Sequence, residues 1–299
     1  MRLKNILHIM TDKKEIKEKV QITEQYLNIT EVIRSKNPGL VKLLPNFVLN
    51  YLKRIIHEKD LNSAIFRNRD LFGVNFVDAI IKEFGAIIKV TNPENIHKTG
   101  RYIIASNHSL GGLDGLTLMN VIGKVRKDIV FPVNDILMFL PNLNELFIPI
   151  NKHGKNTENI NIIDKTFESD TLILFFPAGL VSRKQKQGIM DLEWKKTFIS
   201  KAVKYKRDII PVYIDGKNSN FFYNLANLRK KLGIKANIEM LYLVNEMYKQ
   251  KNKTINIIIG KPISYKTFDK SLRFNEWAQK IRKYVYSLSK NKNLTFETK

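Results

Sequence analysis

The 299-residue chain predicts an α/β fold, a mainly parallel mixed sheet flanked by helices, with an N-terminal helical region ahead of it. Two observations support this. From residue 86 onward, short runs rich in Ile, Val and Phe alternate with longer stretches whose apolar residues recur at helical spacing. Gly (14) and Pro (9) are sparse, so long linkers are not expected. The length suits one compact unit, with residues 1–85 as the helical region and 86–299 as the α/β domain.

Residues 12–34 read as a polar helix in which Ile16, Val20, Thr23 and Leu27 make a narrow apolar stripe. Residues 38–56 are the most apolar part of the N-terminal third. Lys53 and Arg54 beside a wide apolar face fit a helix lying in a membrane interface near 40–56, and equally an ordinary core-packing helix. Helical patterns at 60–69 and 76–84 lead into a strand pattern at 86–90. Strand-like runs follow at 101–106, 129–133, 147–150, 171–176, 209–214 and 255–259, with helical stretches at 115–122, 157–167, 194–206 and 275–287. In such a sheet the loops after the 101–106 and 171–176 strands should meet in one crevice.

Composition removes several classes of function. The absence of cysteine excludes disulfides, thiolate nucleophiles and cysteine-based zinc sites, and fits a reducing compartment. There is no run of about 18 apolar residues, as a spanning helix would need, and residues 1–19 lack the apolar centre of a signal peptide. The formal charge is +23, and residues 183–299 alone hold 27 Lys and Arg against 9 Asp and Glu. That excess suits anionic lipid, an acidic carrier protein or nucleic acid, although a lysine-rich solvated surface would look the same. Neither zinc-finger spacing nor an RNA-recognition signature is present, so no nucleic-acid partner is expected, and no metal site either.

Chemistry concentrates in the turn after the 101–106 strand. There His108 precedes Asp114 by six positions, with Gly111 and Gly112 between them. A strand end opening into a turn presents side chains while the sheet behind stays fixed. His8, His57, His97 and His153 read as surface or capping residues. After the 171–176 strand comes Pro177-Ala178-Gly179-Leu180-Val181-Ser182-Arg183, where backbone N–H groups, a hydroxyl and a guanidinium fork can cradle an anion; a structural turn with solvated basic residues would look the same. Lys152, after the 147–150 strand, offers a point charge toward phosphate or carboxylate.

The order of these blocks resembles the lysophosphatidic acid acyltransferase superfamily, the glycerolipid acyltransferases with a His-x4-Asp motif. Asn107-His108 and Asp114 resemble its first block, residues 147–152 its second, Phe176-Pro177-Ala178-Gly179 with Ser182 its third, and Ile210-Pro211-Val212 its fourth. The likeness covers residues 86–262 and is similar in wording to a subgroup with N-H-x-L-G-G-L-D-G. Three positions depart from the pattern. The His-to-Asp spacing is one residue longer, Ala178 replaces a glutamate thought to act on the acceptor, and Lys152 stands where arginine is usual.

The resemblance implies a glycerol-3-phosphate acyltransferase-like fold and a membrane-associated O-acyltransferase. His108 would be the general base and Asp114 would hold its tautomer. Lys152, Gly179, Ser182 and Arg183 would bind the acceptor head group. The acyl donor would be acyl carrier protein or coenzyme A thioester, with no other cofactor, and the acceptor a lyso-glycerolipid such as 1-acyl-glycerol-3-phosphate. Ala178 and the unusual spacing leave open a mono-acylated amino-acid lipid, an ornithine or glycine lipid. A hydrolase has less support, since no G-x-S-x-G elbow is present. The non-enzymatic alternative is a basic protein that binds membrane or nucleic acid. The expected location is peripheral, on the cytoplasmic face of the cell membrane, with anionic lipid as partner.

Overall fold

The computed structural model describes residues 26–149 and 156–298. Lys152, His153 and most of the apolar stripe expected over 12–34 lie outside the described residues.

Helix α1 (Ile29–Lys36) begins where the Asn28 side chain accepts from the Glu31 N–H, filling one of the donors a helix start leaves open. Asn37 ends it and caps α2 (Pro38–Leu43), with proline in the first turn where its missing N–H costs nothing. Helix α3 (Asn46–Ile55) follows the break at Pro45, so the apolar stretch expected near 40–56 is two short helices in place of one. Its inner face meets a small cluster built on Leu27, Ile29 and Val32, into which Leu52 and Ile56 pack. The outer side of α2 and α3 is bare: Leu43 at the end of α2 is 80% exposed and Phe47 of α3 74%. Next are α4 (Glu58–Arg67) and α5 (Gly73–Phe84), the latter stopped by Gly85 in the left-handed conformation at φ 71°. Val74, Phe76, Val77, Ile81 and Phe84 of α5 lie in the main core beside the sheet.

The sheet has seven strands in the order β1-β9-β8-β2-β5-β3-β4. These are β1 (Ile87–Thr91), β2 (Tyr102–Ser106), β3 (Ile129–Val133), β4 (Phe147–Pro149), β5 (Leu172–Phe175), β8 (Asp208–Ile214) and β9 (Thr254–Ile259). Strands β8, β2, β5, β3 and β4 run parallel; β9 is antiparallel to β8, and β1 pairs parallel with β9. The sheet is therefore mainly parallel and mixed, as the alternation predicts. A separate hairpin, β6 (Arg183–Gln185) and β7 (Gly188–Met190), had no sequence signal.

Alternating side chains feed two cores. Ile104, Leu172, Leu174, Ile210 and Val212 face α5 and α6 (Gly112–Gly123). Ile103, Ala105, Ile173 and Ile209 face α8 (Thr197–Tyr205) and α11 (Phe274–Leu288) on the other side. Helix α7 (Asn156–Glu168) precedes β5; α9 (Asn220–Lys231) and α10 (Leu243–Tyr248) form a late insertion between β8 and β9. Covering both faces of the sheet leaves the carboxyl ends of neighbouring β2, β5 and β8 as the place where loops can meet a ligand. No helix among the described residues is long and apolar enough to cross a membrane.

Candidate active site

The turn after β2 is pinned before it reaches the histidine. The Asn107 amide acts as an extra strand rung, accepting from the Ile214 N–H at 2.7 Å and donating to the Ile214 carbonyl at 2.9 Å. This fixes the turn to the end of β8. The main-chain N–H of His108 then donates to Asp191 at 3.2 Å, while its carbonyl accepts from the Ser182 N–H at 2.6 Å.

His108 Nδ1 lies 2.9 Å from Asp114 Oδ2. The Asp114 side chain is wholly buried and also accepts from the Leu110 N–H at 2.7 Å and the Ser109 hydroxyl at 3.4 Å. An ionised carboxylate can only accept, so Nδ1 holds the ring proton and Nε2 is left as the free base. The longer His-to-Asp spacing is absorbed at Gly111. Its φ of 72° and ψ of −128° lie in a region that glycine alone occupies readily, and it forms the N-cap of α6. Asp114 consequently sits in the first turn of that helix, aimed back at the imidazole. The Phe176 ring stacks on His108 with centroids 4.1 Å apart and planes 13° off parallel, giving the imidazole one flat wall.

The third block supplies a loop of different character from the cradle expected. Gly179 has a φ of 66° and its N–H donates to Phe176. Ser182 is buried and its hydroxyl donates to Asp191 Oδ1 at 2.6 Å. Arg183 is buried too, with Nη2 on Glu239 Oε1 at 2.8 Å and Nη1 on the carbonyls of Val181 and Ser182. Burial pulls its pKa down against the opposing pull of Glu239. The same carboxylate is held by Arg229 Nε at 2.8 Å, so an Arg-Glu-Arg network closes the insertion onto β6. Gly179 and Ser182 thus frame the loop around His108, whereas the Arg183 guanidinium is engaged within the protein. Ala178, in place of the family glutamate, is 4% exposed and packs into the α8/α11 core. Lys152 lies outside the described residues.

Asp191 is the residue that sequence reasoning missed. Wholly buried, it also accepts from Trp194 Nε1 at 2.8 Å, and its own N–H donates to the Tyr286 hydroxyl at 2.7 Å. Burial raises its pKa, opposed by the hydrogen bonds from Ser182, Trp194 and the His108 N–H. It follows no motif, and only its contacts mark it. Among the described residues no group of His, Asp and Glu is placed to hold a metal ion.

Comparison with known proteins decides the family: the profile described as Acyltransferase matches residues 31–294. The chain belongs to the acyltransferase family. A lyso-glycine lipid O-acyltransferase of Bacteroides thetaiotaomicron is 44% identical over 264 residues, covering 88% of this chain and 97% of that one. Another lyso-glycine lipid O-acyltransferase, from Phocaeicola vulgatus, is 42% identical and covers 88% of this chain and 95% of its own. Among solved structures, the 1-acyl-sn-glycerophosphate acyltransferase PlsC from Thermotoga maritima aligns over 80% of this chain and 96% of its own, with a TM-score of 0.45 and 16% identity. In this acyltransferase the family match runs from within α1 to beyond the end of α11.

Proposed function

We propose that this acyltransferase moves a fatty acyl group from a thioester to the hydroxyl of a mono-acylated glycine lipid, with His108 as general base. The observation behind the chemistry is the 2.9 Å contact of His108 Nδ1 with the buried Asp114 carboxylate, which leaves Nε2 as the proton acceptor. Nε2 takes the hydroxyl proton as the oxygen attacks the thioester carbonyl. A new C–O bond forms, the C–S bond breaks, and the thiolate leaves with the proton. Asp114 stabilises the imidazolium formed meanwhile. The Asp114 N–H is taken by the Gly111 carbonyl at 3.1 Å, which leaves the Gly112 and Leu113 amides, at a helix start that supplies no partners for them, as the donors for the oxyanion.

The acceptor moves away from 1-acyl-glycerol-3-phosphate because both curated relatives are named for lyso-glycine lipid. Glycine has no hydroxyl. If its amine holds the first chain, the reacting hydroxyl belongs to that chain, and the head group keeps a single carboxylate. The engagement of Arg183 with Glu239 fits this lower charge, since a phosphate monoester would call for more free cations. The donor is acyl carrier protein or coenzyme A thioester, the former drawn by the basic surface. The reaction takes place at the cytoplasmic membrane surface, with anionic lipid as partner and the bare face of α2 and α3 in contact with it.

The test is a competition. Purified protein is given one acyl thioester with equal amounts of lyso-glycine lipid and 1-acyl-glycerol-3-phosphate, and products are read by mass spectrometry. Di-acylated glycine lipid as the main product is expected. Phosphatidate as the main product would return the acceptor to the glycerolipids.

A further inference from the structure

The loop after β5 meets a cation that the sequence blocks do not include. A side-chain carbon placed at Gly179 would lie 3.3 Å from Lys195 Nζ and 3.9 Å from its Cε, and apart from the adjoining residues 178 and 180 it would meet no other described atom within 4 Å. The ammonium therefore rests over the bare face of that glycine, on the loop whose Phe176 ring stacks on His108. Its backbone is held on both sides. The Lys195 N–H donates to Pro177 at 3.0 Å, and the preceding Trp194 is fixed by Gln279, which donates to its carbonyl at 2.7 Å, and by its own indole bond to Asp191 at 2.8 Å. The stem of Lys195 thus rises from a rigid platform, which lowers the ordering cost of any contact its tip makes.

Three features fit this lysine to an anion that comes from outside. It is solvent-exposed and pairs with no carboxylate among the described residues. Arg183, the cation that the motif suggested, is buried on Glu239. Where the family pattern has a glutamate, Ala178 turns into the core, so this loop has no acid that would neutralise Lys195 or repel an approaching carboxylate.

We infer that Lys195 is the specificity-determining residue of the acceptor subsite, receiving the single carboxylate of the lyso-amino-acid lipid over Gly179. The inference rests on the acceptor class proposed above. One ammonium suits one carboxylate as a point charge, while the apolar chain with its hydroxyl runs toward His108 past the Phe176 wall. Lys195 acts on acceptor binding and takes no part in proton transfer.

The experiment uses the full chain with two glycine-lipid acceptors, a hydroxyacyl-glycine with free carboxylate and the same lipid as its neutral carboxamide, and with lysophosphatidate as a third, control acceptor. The wild type is expected to favour the carboxylate. Lys195→Met should raise KM for the carboxylate acceptor by roughly tenfold, the size of one exposed charge-assisted contact, with kcat and donor KM little changed. It should leave the carboxamide unaffected, and Lys195→Arg should restore most of the preference. Equal effects of Lys195→Met on both acceptors, or none on either, would overturn the inference while leaving the acceptor class standing. A wild type that acylates neither glycine lipid but takes lysophosphatidate overturns both. Thermal melting of each variant, expected to match the wild type because Lys195 is exposed, separates these readings from misfolding.

Discussion

The Ser182 hydroxyl donates to Asp191 at 2.6 Å, and the same carboxylate oxygen takes the His108 N–H at 3.2 Å. One buried acid therefore locks the loop after β5 to the turn after β2. In Asp191→Asn an amide N–H replaces an acceptor among three donors, so the two loops lose register. We expect kcat to fall roughly tenfold to hundredfold, as for small misplacements of reacting groups. The pH dependence of stability should change as well. Burial raises the folded-state pKa of Asp191, so its stabilising contribution is complete below the ordinary carboxylate value and is lost as pH rises through the higher folded value. Urea unfolding across mildly acid pH should show the wild type losing stability relative to Asp191→Asn as pH increases. A flat difference would contradict a raised pKa.

The dyad makes a sharper demand on kinetics. In Asp114→Asn the amide can present its N–H to His108 Nδ1, which favours the tautomer protonated on Nε2 and removes the base. Because Asp114 acts once the imidazolium forms, kcat should fall by roughly 10²- to 10⁴-fold with KM for either substrate nearly constant. His108→Ala should lose at least as much. Steady-state assays that found undiminished turnover in either variant would remove the general-base assignment.

Gly111 is the position that lets a longer spacing work. Gly111→Ala would force an L-residue into φ 72°, ψ −128° and bring its Cβ to 3.3 Å from Leu243 of α10. Strain of this kind costs about 1–3 kcal/mol. The relaxation turns α6 and with it Asp114, so both melting temperature and kcat should drop. Deleting one of the two glycines to restore the usual spacing should fail also, because Asp114 is already in register with His108.

Arg183 separates a structural role from a binding one. Glu239 has a fully buried side chain between Arg183 and Arg229, so Arg183→Ala leaves it with one partner and should destabilise by about 3 kcal/mol. KM for the acceptor, measured on the folded protein below its melting point, should stay near the wild-type value. A raised KM with unchanged stability would mean that the guanidinium reaches the substrate after all.

These cases show which physical signals sequence carries. Strands such as 101–106 and 209–214 were legible because β-branched runs bury both faces of a parallel sheet, and the His108 turn because residue types and spacing converge there. Strand direction was not legible: nothing in the pattern of Ile255 to Ile259 says that β9 opposes β8, since alternation has no sense of polarity. The fate of Arg183 was equally hidden. Its partner Glu239 is 56 residues away in an insertion without motif, and a cation near a glycine loop reads alike whether it meets a ligand or a buried acid. Lys195 and Asp191 escaped for the same reason, being brought to the site by tertiary contacts alone.

The bare helices ahead of the sheet lead to the last prediction. Leu43 and Phe47 stand 80% and 74% exposed, and the surface continues across the chain: the Tyr51 hydroxyl lies 2.7 Å from that of Tyr242, whose ring meets Phe221 at 5.0 Å, while Phe221 is 49% and Leu241 43% exposed. Arg54 lies over the Tyr51 ring at 5.1 Å, at the edge where a cation would meet lipid phosphate. Such large side chains gain nothing in water, but each contributes up to about 1.5–3 kcal/mol when buried in an apolar phase. Leu43→Asp combined with Phe47→Asp should therefore weaken binding to anionic vesicles by at least roughly tenfold in sedimentation assays. The melting temperature should hold, because neither side chain supports the core. Phe221→Asp should weaken binding as well, since the second element shares the surface through Tyr242, and binding should decline with salt because the cations at the edge are screened. Vesicle binding absent in the wild type, or unchanged in the double variant, would remove this face as a membrane contact, and an equal loss of activity on detergent-dispersed acceptor would assign these residues to the reaction instead of the bilayer.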